Sequence, residues 1–132
     1  MKRRAVLGFA SLLLAAAACG GESGGQNPTH PGDLLVSYFQ GGPEPGALLL
    51  TITGGPVENV SALGGQQVSF SSPFAGTTKV VVLGTLTNGD LLRLRVPDVT
   101  QSTSYTVRVE QAADNGTFAL IDASLYTFTV HR

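Results

Sequence analysis

From Asp33 onward, apolar residues recur at every second position, and turn-forming residues separate the runs. A spacing of two is the side-chain period of a β-strand with one buried face. Tyr105, Val107 and Val109, for example, alternate with Thr106 and other polar neighbours. No stretch long enough for an amphipathic helix repeats at 3.6 residues. The pattern therefore predicts an all-β domain.

The apolar runs predict eight or nine short strands. The predicted strands cover residues 34–39, 47–53, 57–63, 67–70, 79–86, 91–96, 105–110, 118–121 and 125–130. Turn signals recur about every ten residues, which is typical of a two-layer antiparallel β-sandwich. About 100 residues are enough for one hydrophobic core and not for two. We therefore expect a single sandwich domain over residues 33–132.

Two pairs of neighbouring strands are predicted to form hairpins. Residues 34–39 and 47–53 flank the segment GGPEPG, whose glycines and prolines favour a turn. Residues 79–86 and 91–96 flank Asn88-Gly89, a strong two-residue hairpin signal. The alternation also predicts six core aromatic residues: Tyr38, Phe70, Tyr105, Phe118, Tyr126 and Phe128.

The strand pattern resembles the immunoglobulin-like and cohesin-like sandwich modules of bacterial surface proteins. The residues that carry this resemblance are 46–53, GALLLTIT, which follow a first strand and a turn. The resemblance covers strand order and implies the sandwich fold. The domain is shorter than a typical cohesin and has no dockerin-like calcium loop, so the resemblance implies no particular partner.

The amino terminus has the anatomy of a secretory signal peptide. Lys2, Arg3 and Arg4 precede an apolar run of fourteen residues, 5–18, which ends in small residues before Cys19, the one cysteine of the sequence. The alternative is a retained membrane-spanning helix. Such a helix needs about 20 apolar residues, and two glycines and Glu22 follow this run almost at once. We therefore expect residues 1–18 to be a signal peptide.

Residues 14–20, LAAAACG, resemble the bacterial lipobox, with Ala16 where leucine is commoner. The resemblance implies a diacylglyceryl thioether on Cys19, cleavage after residue 18 and an acylated mature amino terminus. The alternative is conventional cleavage and release of a soluble protein. That alternative leaves an unpaired thiol in an oxidising compartment, which proteins tend to avoid.

Lipidation at Cys19 has consequences for location. Two or three acyl chains exceed what stable membrane anchoring requires. Lipoprotein sorting in Gram-negative cells implies that Gly20, in place of an aspartate, directs the protein to the outer membrane. Residues 20–32 are rich in glycine and contain no large apolar residue, so we expect a tether that spans roughly 20 Å. The expected location is the cell envelope.

Charge and motif content argue against several function classes. Beyond residue 18 there are five Lys and Arg against nine Asp and Glu, a formal charge of −4, and no basic cluster for nucleic acid. The histidines are His30 in the tether and His131 near the end, so we expect no histidine-based triad and no enzyme. Asp114-Asn115-Gly116 lacks the ligand pattern of a helix-loop-helix calcium site. We expect no cofactor, although a calcium ion between loops, held by Asp98 and Asp114, stays open.

Three arginines form the first candidate binding site. Arg93, Arg95 and Arg108 face outward if their apolar neighbours face the core. Antiparallel pairing of residues 91–96 with 105–110, which aligns the apolar faces, would place Arg93 directly opposite Arg108. The group would then bind an anion or an acidic glycan. The favoured interpretation is nevertheless a solvated face balanced by Glu110, because exposed ion pairs are weak evidence of function.

Phe74 is the second candidate, because it lies in SSPFAG, which we expect to form a loop that exposes an aromatic anchor for a partner. The sequence therefore predicts a non-enzymatic envelope module that binds another protein or a polymer through an edge strand or end loops. Binding of a carbohydrate or small ligand is the alternative.

Overall fold

Within residues 28–132, nine antiparallel strands pack as two sheets face to face, so the predicted β-sandwich is confirmed. The computed structural model describes residues 28–132, and the signal-peptide and Cys19 predictions lie outside them. The strands are β1 Gly32–Gln40, β2 Pro45–Thr53, β3 Asn59–Ala62, β4 Gln67–Phe74, β5 Thr77–Leu83, β6 Gly89–Val96, β7 Thr106–Asp114, β8 Leu120–Ile121 and β9 Tyr126–His131. Short 3-10 turns occupy Val99–Ser104 and Ala123–Leu125.

The strands divide into two sheets of four and five. Sheet A has the order β3-β6-β1-β9, and sheet B has the order β4-β5-β2-β7-β8. No helix within residues 28–132 has the length and hydrophobicity that crossing a bilayer requires.

The core lies between the sheets and follows the alternation in the sequence. Leu34 of β1 pairs with Leu94 of β6 in sheet A, and Leu50 of β2 pairs with Val80 of β5 in sheet B. All four side chains have 0% exposure. The central strands β1, β2, β5 and β6 therefore each contribute one apolar face to a shared interior, as is usual for aligned sandwiches.

Both predicted hairpins are wrong, because consecutive strands cross from one sheet to the other. β1 lies in sheet A and β2 in sheet B, while β5 lies in sheet B and β6 in sheet A. Within residues 28–132, neighbours in sequence pair only as β4–β5 and β7–β8. A strand with alternating apolar residues buries its apolar face equally well in the same sheet as the preceding strand or in the opposite sheet. The alternation therefore does not distinguish a hairpin from a crossover between sheets.

The connection between β5 and β6 shows how a hairpin signal serves as a crossover. Leu86 is 2% exposed and enters the core, and the Gln66 side-chain amide donates to the Thr85 carbonyl at 2.8 Å. The Asn88 side-chain oxygen accepts the backbone N–H of Gln40 at 2.8 Å. Gly89 has a φ of +113°, a conformation that side chains disfavour. The Asn-Gly pair thus directs the chain between sheets.

The aromatic predictions are correct for four residues and wrong for two. Tyr38 stacks on Tyr126 with ring centroids 6.3 Å apart, and Phe128 packs against Tyr38 at 5.3 Å. Tyr105 is also buried. Phe70 is 38% exposed because it lies on the edge strand β4, and Phe118 is 64% exposed in the turn after β7.

Candidate functional site

The predicted group of three arginines is divided between the two outer faces of the sandwich. β6 pairs with β1 and β3, whereas β7 pairs with β2 and β8, so the predicted pairing of β6 with β7 is wrong. Asp98 caps the 3-10 turn Val99–Ser104 through the backbone N–H of Thr100, and this turn leads the chain to the opposite sheet. Arg93 and Arg95 therefore lie on sheet A and Arg108 on sheet B.

A single aspartate lies beside the two arginines of sheet A. Asp33 lies 3.8 Å from the Arg93 Nε and 3.7 Å from an Arg95 terminal nitrogen. All three side chains are between 41% and 51% exposed, so each pair is screened by water and is worth little. This face is a solvated sheet surface on which one carboxylate partly compensates two guanidinium groups.

Phe74 is well exposed, although it lies at the end of a strand. β4 extends to Phe74, which pairs with Thr77 after a bulge, and its side chain is 72% exposed. It borders a shallow depression of about 250 Å³ together with Pro56 and Val57. Tyr105 donates a hydrogen bond to the Pro56 carbonyl at 2.6 Å and supports this end of the sandwich.

A serine, an aspartate and a histidine meet on the outer face of sheet A. The His131 Nε2 lies 2.8 Å from an Asp90 oxygen, and the Ser37 hydroxyl lies 2.5 Å from that oxygen and 3.0 Å from Nε2. The hydrogen bond to Asp90 raises the His131 pKa above 6.5. In a catalytic triad, the acid and the nucleophile occupy different ring nitrogens. Here both meet Nε2, so that nitrogen cannot donate to Asp90 and also accept the serine proton.

Metal-binding side chains are dispersed in the described part of the chain. Within residues 28–132, no three His, Cys, Asp or Glu side chains come together around a common point. Asp114 accepts hydrogen bonds from the backbone N–H groups of Gly116 and Thr117 at 2.8 and 2.9 Å, which lower the pKa of its carboxyl. Asp98 bonds Thr100 in a similar way. These local hydrogen bonds show that Asp98 and Asp114 each stabilise a turn.

A groove lies where β7 of sheet B faces β9 of sheet A. Its volume is about 740 Å³. It is lined by residues 106–110 of β7, residues 126–128 of β9, and Ala123 and Ser124 between β8 and β9. Arg108 is the one predicted site residue that borders it.

Among residues 28–132, one edge of β7 has no strand partner along this groove. On its other side, β7 pairs with β2 from Thr106 to Asp114, with a bulge at Glu110. On the groove side it pairs with β8 only at Ala112 and Ala113. The chain then leaves sheet B, because Asp122 caps the turn Ala123–Leu125 that leads to β9. Residues 106–111 thus present an open strand edge, and such edges are templates for pairing with another chain.

Apolar and charged side chains are segregated around this edge. Val107 and Phe128 are each 8% exposed and form the inner wall. On the outer face, the Lys79 ammonium contacts both Glu110 carboxylate oxygens at 2.8 Å, and this contact lowers the Glu110 pKa. Within residues 28–132, Arg108 has no carboxylate within 4.0 Å. The guanidinium of Arg108 is therefore available to a ligand.

An apolar patch occupies one end of the outer face of sheet B. Leu83 and Leu120 are 41% and 71% exposed. Ala47 and Ala113 lie between them in one cross-strand row, and all four lie on the same face. Leu120 also lines a depression of about 250 Å³. Exposed apolar clusters of this kind are typical of protein contact surfaces.

The sequence identified Arg108 and missed the groove. The groove exists because β8 is two residues long and because β7 and β9 lie at the same side of opposite sheets. The available signal was Asp122 followed by Ser124, an arrangement that caps a turn and ends a strand. Comparison of the chain with models of protein families, with curated proteins and with solved structures finds no match to any of them.

Proposed function

We propose that this protein is a lipid-anchored module of the cell envelope that binds another protein and is not an enzyme. Residues 1–18 are a signal peptide, Cys19 carries the lipid, and the residues between Cys19 and β1 tether the sandwich to the membrane, which is the outer membrane in a Gram-negative host. The support for the anchor is the charged start, the apolar run and the lipobox-like segment before Cys19.

The observation that carries the binding role is the open edge of β7 beside the groove. Backbone N–H and C=O groups at a strand edge bind other backbones, which favours a protein partner. A carbohydrate site usually offers an exposed aromatic face. The groove aromatics Tyr126 and Phe128 are only 3% and 8% exposed, and their rings pack with Tyr38. The groove therefore suits a peptide better than a sugar.

The anchor is tested by the intact mass and membrane fractionation of the full chain in a Gram-negative host. We expect the wild type to begin at Cys19, to carry acyl groups and to fractionate with the outer membrane. Cys19→Ser should lose the acyl mass and the membrane association, while Ser23→Ala in the tether should retain both. A soluble wild type cleaved at another position would contradict the anchor.

Partner binding is tested by photo-crosslinking in living cells. A benzophenone amino acid replaces Thr106 at the groove or, as a control, Thr129 on the outer face of sheet A. Both residues are exposed threonines on strands. We expect a discrete adduct with an envelope protein from position 106 and none from position 129. Equal crosslinking at the two positions, or none at position 106, would contradict the assignment of the groove.

A further inference from the structure

We propose that the groove accepts an extended segment of the partner protein, which adds to sheet B as a strand beside residues 106–111 of β7. This inference rests on the proposed function and names its binding mode. The recognised chemistry is a peptide in which apolar and polar residues alternate and which carries one acidic residue opposite Arg108.

The backbone geometry of β7 favours the addition of a strand. β8 already occupies the strand position next to β7 at Ala112 and Ala113. Residues 106–110, which line the groove, continue the same edge for about 17 Å at 3.4 Å per residue, a usual strand length. A segment placed there would satisfy backbone groups that have no partner strand among residues 28–132. Main-chain hydrogen bonds supply affinity in this mode of recognition.

The two faces of β7 set the side-chain pattern of the segment. Val107 and Val109 face inward, paired with Ile52 and Leu50 of β2, and Val109 is only partly buried. Inward residues of an added strand would cover these valines and Phe128, which favours apolar side chains. Outward residues would lie beside Thr106 and Arg108, which favours polar side chains.

The positive charge of Arg108 favours an acidic residue in the added segment. Glu110 is already engaged by Lys79 at 2.8 Å, whereas Arg108 lacks a carboxylate partner within residues 28–132. Opposite charges directly across an antiparallel pair are stabilising. An aspartate or glutamate at the position opposite Arg108 therefore completes the outer face of the extended sheet.

Two other occupants fit less well. Residues 20–32 of this chain contain no large apolar residue to cover the valines. A second copy that paired over the whole lining segment, residues 106–110, would be centred on Arg108 and would place two arginines directly opposite each other. Like charges in that position are destabilising. The occupant is therefore a segment of a different protein.

The test uses the chain from residue 19 with Cys19→Ser, labelled with ¹⁵N. The probe is a synthetic peptide of about ten residues, long enough for one strand, that alternates valine with threonine and has one central aspartate on the threonine side. Three matched peptides are a scramble, an aspartate-to-lysine version, and a version methylated at alternate backbone nitrogens. Amide shifts and hydrogen exchange locate the binding.

We expect the alternating acidic peptide to shift and protect amides of residues 106–111. Scrambling and backbone methylation should each weaken binding at least about tenfold, since main-chain hydrogen bonds supply the affinity. Arg108→Glu should weaken the acidic peptide by up to about fivefold, the usual effect of one cross-strand charge pair, and should favour the lysine version instead. Arg95→Glu on sheet A is the control and should change neither.

Several results would overturn the proposal. They are the absence of binding at millimolar peptide, shifts centred on another edge, equal binding of the methylated peptide, or a free chain that is already dimeric with protected amides in residues 106–111. The last result would make a second copy the occupant. Anchoring is measured separately through Cys19, so failure of strand addition and failure of the anchor give different results.

Discussion

Leu86 provides the most direct test of the crossover between the sheets. In a two-residue Asn88-Gly89 hairpin, Leu86 would pair with Leu91, on the face opposite the core residues Leu92 and Leu94. In the structure, Leu86 and Leu91 are each 2% exposed. We therefore expect Leu86→Ala to remove a core side chain and leave a cavity.

The expected loss in the free energy of unfolding is about 2–5 kcal/mol, the range for a buried leucine truncated to alanine. Leu83→Ala is the matched control, because Leu83 is 41% exposed, and its cost should stay within about 0.5 kcal/mol. Each kcal/mol lowers Tm by about 4–8 °C in a domain of this size. The unfolding midpoint of Leu86→Ala should therefore lie well below that of Leu83→Ala.

Urea unfolding of the Cys19→Ser chain, followed by circular dichroism, measures both variants against the parent. An unchanged urea dependence would show that the variants differ in stability and not in compactness. If Leu86→Ala costs no more than Leu83→Ala, the residue is outside the core and β5 pairs with β6 as a hairpin. That result would refute the two-sheet assignment of these strands.

Two further predictions concern single hydrogen bonds. The His131 pKa should exceed 6.5 and return toward it in Asp90→Asn. Because the pKa is raised in the folded state, protonated His131 stabilises the fold below pH 6.5, and this contribution is lost as the pH rises through the folded-state pKa. NMR titration of the imidazole ring measures the pKa in both proteins. An unchanged pKa in Asp90→Asn would refute the prediction. Tyr105→Phe, which removes the hydrogen bond to the Pro56 carbonyl, should cost about 0.5–1.5 kcal/mol in urea unfolding, and no change would imply that water replaces it.

Side-chain alternation alone predicts much of the core. The inward positions of β1, β2 and β9 follow from the period of two, and so do Leu92, Leu94 and Val96 of β6, whereas Leu91 is buried out of phase with it. The buried tyrosines lie where the period places them. Phe70 also follows the pattern, since it pairs with Val80 on the inward face. It is exposed because β4 is an edge strand whose inner face is only partly covered, and edge position is a property of the whole sheet.

Strand pairing could not be predicted from local patterns. Arg93 and Arg108 each face outward as expected, yet they lie on opposite sides of the sandwich. Pairing of residues 91–96 with 105–110 is predicted because it aligns their apolar faces. Those faces are buried equally well when each strand turns its apolar side to the shared core from its own sheet. The candidate groove depends on the same choice, because it requires β7 and β9 to lie at one side of different sheets.

Local sequence patterns specify the β period, a count of eight or nine strands and most of the inward residues, because these depend on neighbours one to four residues apart. The tertiary structure decided the sheet to which each strand belongs, the exposure of Phe70 and Phe118, the meeting of Ser37 with Asp90 and His131, and the open edge of β7. These features depend on which hydrogen-bond partner each strand finds. Several pairings bury nearly the same apolar surface, so packing of the complete chain selects among them.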